Sequence, residues 1–150
     1  MNDDDALPTP LEHLRSHLLE VGFEEVTNRH HPESFGNRLV LLNDSILLVR
    51  MLHDRKQWFL EVGIVGISDV NGWHQAQTWR ECLEHSGDPF REPLLVEQAE
   101  FVAKNLNRMR ESATDERDRT TACLTEVTRR RSRHWIKAQT EAFKRQMGSG

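Results

Sequence analysis

Residues 33–65, ESFGNRLVLLNDSILLVRMLHDRKQWFLEVGIV, decide the fold, because no other part of the chain reads as consecutive β-strands. Three apolar runs lie within it, Arg38 to Leu42, Ile46 to Leu52 and Trp58 to Val65, each bounded by turn-forming residues. Asn43-Asp44 separates the first two, and both residue types tolerate the left-handed backbone of tight hairpins. A turn centred on Arg55-Lys56 sets Leu52 opposite Phe59, Met51 opposite Leu60 and Arg50 opposite Glu61, an opposite-charge pair across the hairpin. Side chains alternate along a strand, so that register gathers Leu47, Val49, Met51, Leu60, Val62 and Ile64 on one face, the expected core. The other face, with Leu48, Arg50, Leu52, Phe59 and Glu61, is still largely apolar and calls for a second cover, a helix or a partner.

Upstream, Phe23 to Asn28 reads as a short strand that leads into the meander, followed by Arg29-His30-His31-Pro32. Adjacent histidines on an extended chain point to opposite faces, so His30 and His31 do not form a metal site. Ser34-Phe35-Gly36-Asn37 reads as a turn; it lacks the further glycines and the helix of a phosphate-cradling loop. Before the strand, Thr9-Pro10 predicts an N-cap with proline at the first helical position, and Glu12 completes a Thr-x-x-Glu capping box. Leu11, Leu14, Leu18 and Val21 form the apolar stripe of that helix, and Gly22 ends it. His13 and His17 stand four apart on it, but no Glu lies between them and no third ligand is evident, so they read as surface histidines.

Downstream, the pattern changes to helix. Trp73 to His85 places Trp73, Ala76, Trp79 or Arg80 and Leu83 inward and stops at Gly87-Asp88-Pro89. Glu92 to about Met109 is the clearest amphipathic segment, with Leu95, Val102, Leu106 and Met109 as its stripe and Phe101 beside it. Asp115 to Met147 has the composition of one long helix. Leu124, Val127, Trp135, Ala138 and Ala142 share a face there, with Ile136, Phe143 and Met147 beside it, and TRRRSRH at 128–134 interrupts the apolar pattern. The expected fold is α+β: an N-terminal helix, a three- to four-stranded antiparallel meander, then three helices including a long C-terminal one. Residues 1–147 form one domain, and Gly148-Ser149-Gly150 resembles a linker remnant.

The chain has 150 residues, 37% of them hydrophobic and 29% charged, which suits an ordinary globular protein and excludes global disorder. Its net charge of −4 is unevenly spread: residues 1–111 carry 11 Lys and Arg against 19 Asp and Glu, residues 112–150 carry 9 against 5. No apolar run approaches the roughly 20 residues that cross a bilayer. The opening MNDDDALP is acidic where a signal peptide is basic and then apolar, so the expected location is the cytoplasm. Two cysteines, Cys82 and Cys123, are too few and too far apart for a disulfide framework or a CxxC knuckle and read as reduced, partly buried thiols.

There is no Gly-x-Ser-x-Gly, His-Glu-x-x-His or P-loop, and His53-Asp54 at an exposed hairpin tip offers no water-excluding pocket, so the sequence predicts neither enzyme, metal nor cofactor. Glu33-Ser34-Phe35-Gly36-Asn37, Leu39-Val40-Leu41, Asp54-Arg55 with Gln57-Trp58-Phe59, Glu61-Val62-Gly63, and later Trp79-Arg80 with Cys82-Leu83 resemble a broad group of small bacterial α+β proteins. Members of such groups occur as immunity proteins beside polymorphic or contact-dependent toxins. The resemblance covers about residues 33–85; it departs at Arg55-Lys56-Gln57, where such proteins commonly have Arg-Gly-Gln, and leaves that turn type open. It implies stoichiometric binding of a cognate protein toxin, and an acidic body suits a basic partner. The expected contacts are Glu81, Glu84 and Asp88 near the end of the tryptophan helix, with Asp54 and Arg55 at the hairpin tip. Two rival readings stand beside it. One is a structural module that forms a homodimer through the terminal helix and the second sheet face. The other is a nucleic-acid or acidic-partner patch at Arg129, Arg130, Arg131 and Arg133, against which stand the net charge and the lack of a recognition motif.

Overall fold

The computed structural model describes residues 6–31, 37–54, 56–67, 72–85 and 93–148. Among them the chain runs α1 (Thr9–Glu20), β1 (Glu24–His31), β2 (Asn37–Asn43), β3 (Leu47–Asp54), β4 (Gln57–Ile64), β5 (His74–Gln75), α2 (Ala76–Glu84), α3 (Leu95–Asp115) and α4 (Arg117–Gly148). The strands form one sheet in the order β1-β2-β3-β4-β5, every neighbour antiparallel. This is the α+β architecture expected from the pattern, extended by two short-range additions. β1 reaches His31 rather than Asn28, and His74-Gln75 forms an edge strand on Glu61 and Val62 just before the tryptophan helix, which therefore starts at Ala76.

The hairpin register is the one that charge and alternation predict, with Leu52↔Phe59, Met51↔Leu60 and Arg50↔Glu61 paired. Leu47, Val49, Met51, Leu60, Val62 and Ile64 are all 3% exposed or less, and β2 adds Val40 and Leu42 to the same face. Helices cover that face: Leu11, Leu14 and Leu18 of α1, Trp79 of α2, Val102, Leu106 and Met109 of α3, and Leu124 of α4 complete one core. Removing so many leucine and valine side chains from water, at roughly 1.5–3 kcal/mol each, is the main stabilisation of the fold. Trp79 Nε1 donates to Val62 O at 3.1 Å, so the indole enters the core with its one polar atom partnered.

Local chemistry explains the element ends. Leu11 N and Glu12 N donate to Pro8 O, and helix α1 begins at Thr9 with no side-chain cap, so the expected Thr-x-x-Glu box does not form. At the other end Phe23 N donates to Leu18 O and Gly22 N to Leu19 O, with Gly22 at φ +103°, the two bonds of a glycine-terminated Schellman motif. The chain turns there, which leaves Val21 outside the stripe and 45% exposed. Between β2 and β3 the loop is Asp44-Ser45-Ile46 rather than Asn43-Asp44, because Asp44 Oδ1 accepts from both Ile46 N and Leu47 N at 2.7 Å. Asp54 and Gln57 close the next hairpin, and Lys56 takes φ +67°, the conformation that glycine would adopt at least cost. Helix α3 runs six residues past Met109 and kinks at Asn105, where the side-chain amide donates to Phe101 O at 2.8 Å. The turn at 34–36, the helix stop at 87–89 and most of the loop before Gly72 lie outside the described residues.

The reading of the cysteines is also overturned. Cys82 of α2 and Cys123 of α4 form a disulfide, their Cα atoms 6.0 Å apart. Their separation of 41 residues hid the pairing, because only the packing of α4 along α2 brings them together. No helix among the described residues is long and apolar enough to cross a membrane.

Candidate protein-binding surface

The second face of the sheet is built differently from the first. Leu39, Leu41, Leu48, Leu52 and Phe59 alternate onto it and all remain half-buried; none belongs to the core. Trp73 lies on this side, its ring where a Cβ on Gly63 would touch it, so the glycine allows the indole to approach the strand. The Arg50 guanidinium sits 4.3 Å above that ring and donates to Glu61 at 2.5 Å, which ties Trp73, Arg50 and Glu61 into one stack.

α4 bounds this face along β4. Its first half is held firmly: Leu124 and Val127 are buried, the disulfide reaches α2, and Arg117 donates to Val65 O at 2.9 Å. Thr128 Oγ1 lies 2.7 Å from His74 Nδ1 of β5. Burial holds the His74 imidazole below its ordinary pKa, which favours the neutral ring at this junction. Beyond it, α4 leaves the body. From Ser132 to Met147 every side chain is exposed, with Trp135 at 55%, Ile136 at 60%, Phe143 at 62% and Met147 at 71%. Where helix and sheet diverge they enclose an open cleft of about 430 Å³. Phe59, Trp73 and Trp135 give it aromatic walls, and Gln57, Gln75 and Arg131 line it with polar groups.

The residues expected to make contacts are distributed over several elements. Asp54 ends β3, half-buried, while Arg55 and Asp88 fall outside the described residues. Glu81 and Glu84 lie on α2 and already have cationic neighbours: Arg130 reaches Glu81 Oε1 at 3.3 Å, and Arg80 and Arg108 stand 3.1 and 3.8 Å from the Glu84 carboxylate. The four arginines do not share one face. Arg131 points into the cleft, whereas Arg129, Arg130 and Arg133 surround Glu126 at 3.8, 4.0 and 3.5 Å. His53 is within β3 rather than at the tip, 7% exposed and stacked on Trp58 with ring centroids 4.7 Å apart. Among the described residues no three His, Cys, Asp or Glu side chains are grouped as metal ligands. Sequence reasoning picked out Phe59 and Trp135 as apolar but had no means to join them, since the cleft is made by residues some 75 positions apart in the chain. Comparison of the chain with protein-family models, curated proteins and solved structures found no match.

Proposed function

We propose that this chain is a non-catalytic binding protein that holds a protein partner against the open sheet face and the projecting half of α4. The observation that carries this reading is a pair of apolar surfaces, one half-buried on the sheet and one exposed on α4, that approach each other at the cleft lined by Phe59 and Trp135. Leucines at Leu39, Leu41, Leu48 and Leu52 lie on one side, and Trp135, Ile136, Phe143 and Met147 stand out from the other. Exposed aromatic and methionine side chains grouped in this way are typical of interaction surfaces. The specific form of the proposal, drawn from the resemblance over residues 33–85, is an immunity protein that neutralises a cognate bacterial toxin stoichiometrically. It works without turnover or cofactor.

Intact-complex mass spectrometry of the protein taken at native level from its own cell tests it. The expected result is a stoichiometric second polypeptide that is toxic when expressed without this chain and that is lost from the Phe59→Glu variant. Recovery of the chain with no second polypeptide would overturn the proposal. Charge reversal at Glu84 and Asp88 then asks whether the acidic residues contribute: unchanged affinity removes them from the interface. The structural, self-associating reading draws on the same projecting helix. Against the nucleic-acid reading stand the net charge of −4 and the lack of a recognition motif; Glu126, the shared neighbour of Arg129, Arg130 and Arg133, offsets one of their charges. The cytoplasm expected from the sequence keeps thiols reduced, whereas a bond such as Cys82–Cys123 persists in oxidising compartments; the redox state of that pair in native material decides between the two.

A further inference from the structure

We infer that the partner enters the cleft between β4 and α4 with a proline-rich segment in the polyproline II conformation. The inference rests on the reading of this cleft as the meeting place with a protein partner, and it names the kind of segment that fills it.

Peptide segments are held in a small number of ways: as a strand added to a sheet edge, as an amphipathic helix in an apolar groove, as an acidic or phosphorylated group on clustered arginines, or as prolines packed between aromatic rings. The first three do not suit this cleft. β5 already pairs with Glu61 and Val62 on the outer edge of β4, and Leu60 beside them is 1% exposed, which closes that edge to an added strand. An amphipathic helix buries its anchors among aliphatic side chains. The described residues that line the cleft include Phe59, Trp73 and Trp135 but no leucine, isoleucine, valine or methionine. Of the arginines at 129–133, Arg131 lines the cleft, whereas Arg129, Arg130 and Arg133 surround Glu126, so an anionic group meets one guanidinium there and not a cluster.

The fourth mode fits in chemistry and in size. Proline has no N–H, so a polyproline II segment presents only carbonyl acceptors and ring faces. Facing them are the indole N–H groups of Trp73 and Trp135, the amides of Gln57 and Gln75 and the hydroxyls of Thr78 and Ser132, none with a hydrogen-bond partner among the described residues. Thr78 is the most telling of these, since it is 2% exposed and a hydroxyl at that depth calls for a partner. Trp73 is in place before any ligand arrives, its ring against Gly63 and the Arg50 guanidinium 4.3 Å from the ring centroid, so its ordering costs binding little. Charge agrees: Glu61 is tied to Arg50 and Arg131 adds a positive charge, so a neutral or acidic segment suits the cleft and a basic one does not. From Gln57 to Glu61 the strand wall runs roughly 13 Å at about 3.3 Å per residue, and from Thr128 to Trp135 the helix wall runs roughly 10 Å at about 1.5 Å per residue. Polyproline II rises about 3.1 Å per residue, so one full turn lies along both walls. A neutral oligosaccharide is the competing ligand for tryptophans beside glutamines. It brings hydroxyl donors as well, and the Glu61 carboxylate that would accept from them is already taken by Arg50.

The test is a titration of the purified full chain with a capped ten-residue polyproline peptide, followed by NMR of the tryptophan indole N–H signals. Saturable shifts are expected at Trp73 and Trp135. Trp79, which donates to Val62 O, and Trp58, which stacks on His53, should not move. In the Trp135→Ala variant, whose altered residue is 55% exposed and outside the core, affinity for the peptide should fall about tenfold with an unchanged circular dichroism spectrum. A Gly-Ser peptide of the same length and maltohexaose should leave all four signals in place. Absence of a saturable shift at millimolar polyproline, an equal shift with the Gly-Ser peptide, saturation by maltohexaose, or undiminished affinity in Trp135→Ala would each overturn the inference. The two readings fail separately, because the titration needs no native partner. A null titration with a second polypeptide still recovered from the cell sinks the proline segment alone, and a saturable titration with no second polypeptide recovered sinks the toxin reading alone.

Discussion

The two faces of one sheet come from the same three strands and differ by a single residue of register, yet they are governed by different rules. On one side Leu47, Val49, Met51, Leu60, Val62 and Ile64 are sealed under helices. On the other, Leu48, Leu52 and Phe59 are nearly as apolar and stay half-buried, interrupted by the Arg50–Glu61 pair. Hydrophobicity alone therefore does not mark a core; what marks it is whether the rest of the chain supplies a cover. The difference is the main reason to look for function on the second face.

Leucine truncation would break the comparison most directly. Leu60→Ala, in the packed core, is expected to cost about 2–5 kcal/mol, while Leu52→Ala across the sheet, where the side chain is only partly buried, is expected to cost less, about 1–2 kcal/mol. Urea unfolding of the two variants reads the contrast, and equal losses would mean that the second face is covered after all. Next in size is the staple between α2 and α4. Replacing Cys82 and Cys123 by serine frees a loop of 41 residues and is expected to lower stability by about 2–4 kcal/mol, with α4 rather than the sheet losing amide protection first.

Two smaller effects sharpen the picture. Lys56 holds a left-handed backbone at φ +67°, so Lys56→Gly should stabilise the hairpin by about 0.5–1 kcal/mol in the same unfolding assay. His74 supplies a pH signature. Its folded pKa lies below the unfolded value, so the unfolded chain binds more protons in the interval between them. The contribution of the neutral ring is fully present above the unfolded pKa of about 6.5 and is lost as pH falls from there through the folded value. Thermal unfolding of His74→Gln should therefore depend less on pH below 6.5 than that of the unmodified chain; identical profiles would show that His74 does not set the dependence.

Much of this was legible in the chain because it is local. Period-two alternation, the Arg50–Glu61 match and the turn at Arg55-Lys56 define the β3–β4 register without reference to anything distant. The stripes of Leu11, Leu14 and Leu18, and of Val102, Leu106 and Met109, likewise name their own buried faces, and Gly22 announces the end of its helix. The signals that misled were local too: Thr9 and Glu12 spell a capping box, but the backbone carbonyl of Pro8 already takes the first amides.

Tertiary structure alone decided the rest, since it depends on surfaces that meet across many residues. Nothing near Cys82 in the sequence specifies Cys123, nor does His74 specify Thr128; both pairs exist because α4 docks along α2 and β5. The composition of 115–147 reads as one continuous helix, yet only its first half buries apolar side chains against the body, Leu124 and Val127, while Trp135, Ile136, Phe143 and Met147 beyond it are exposed. Beyond Ser132 the side chains of the same helix are exposed among the described residues, and a local amphipathic repeat carries no information about which surface, or whose, will meet it.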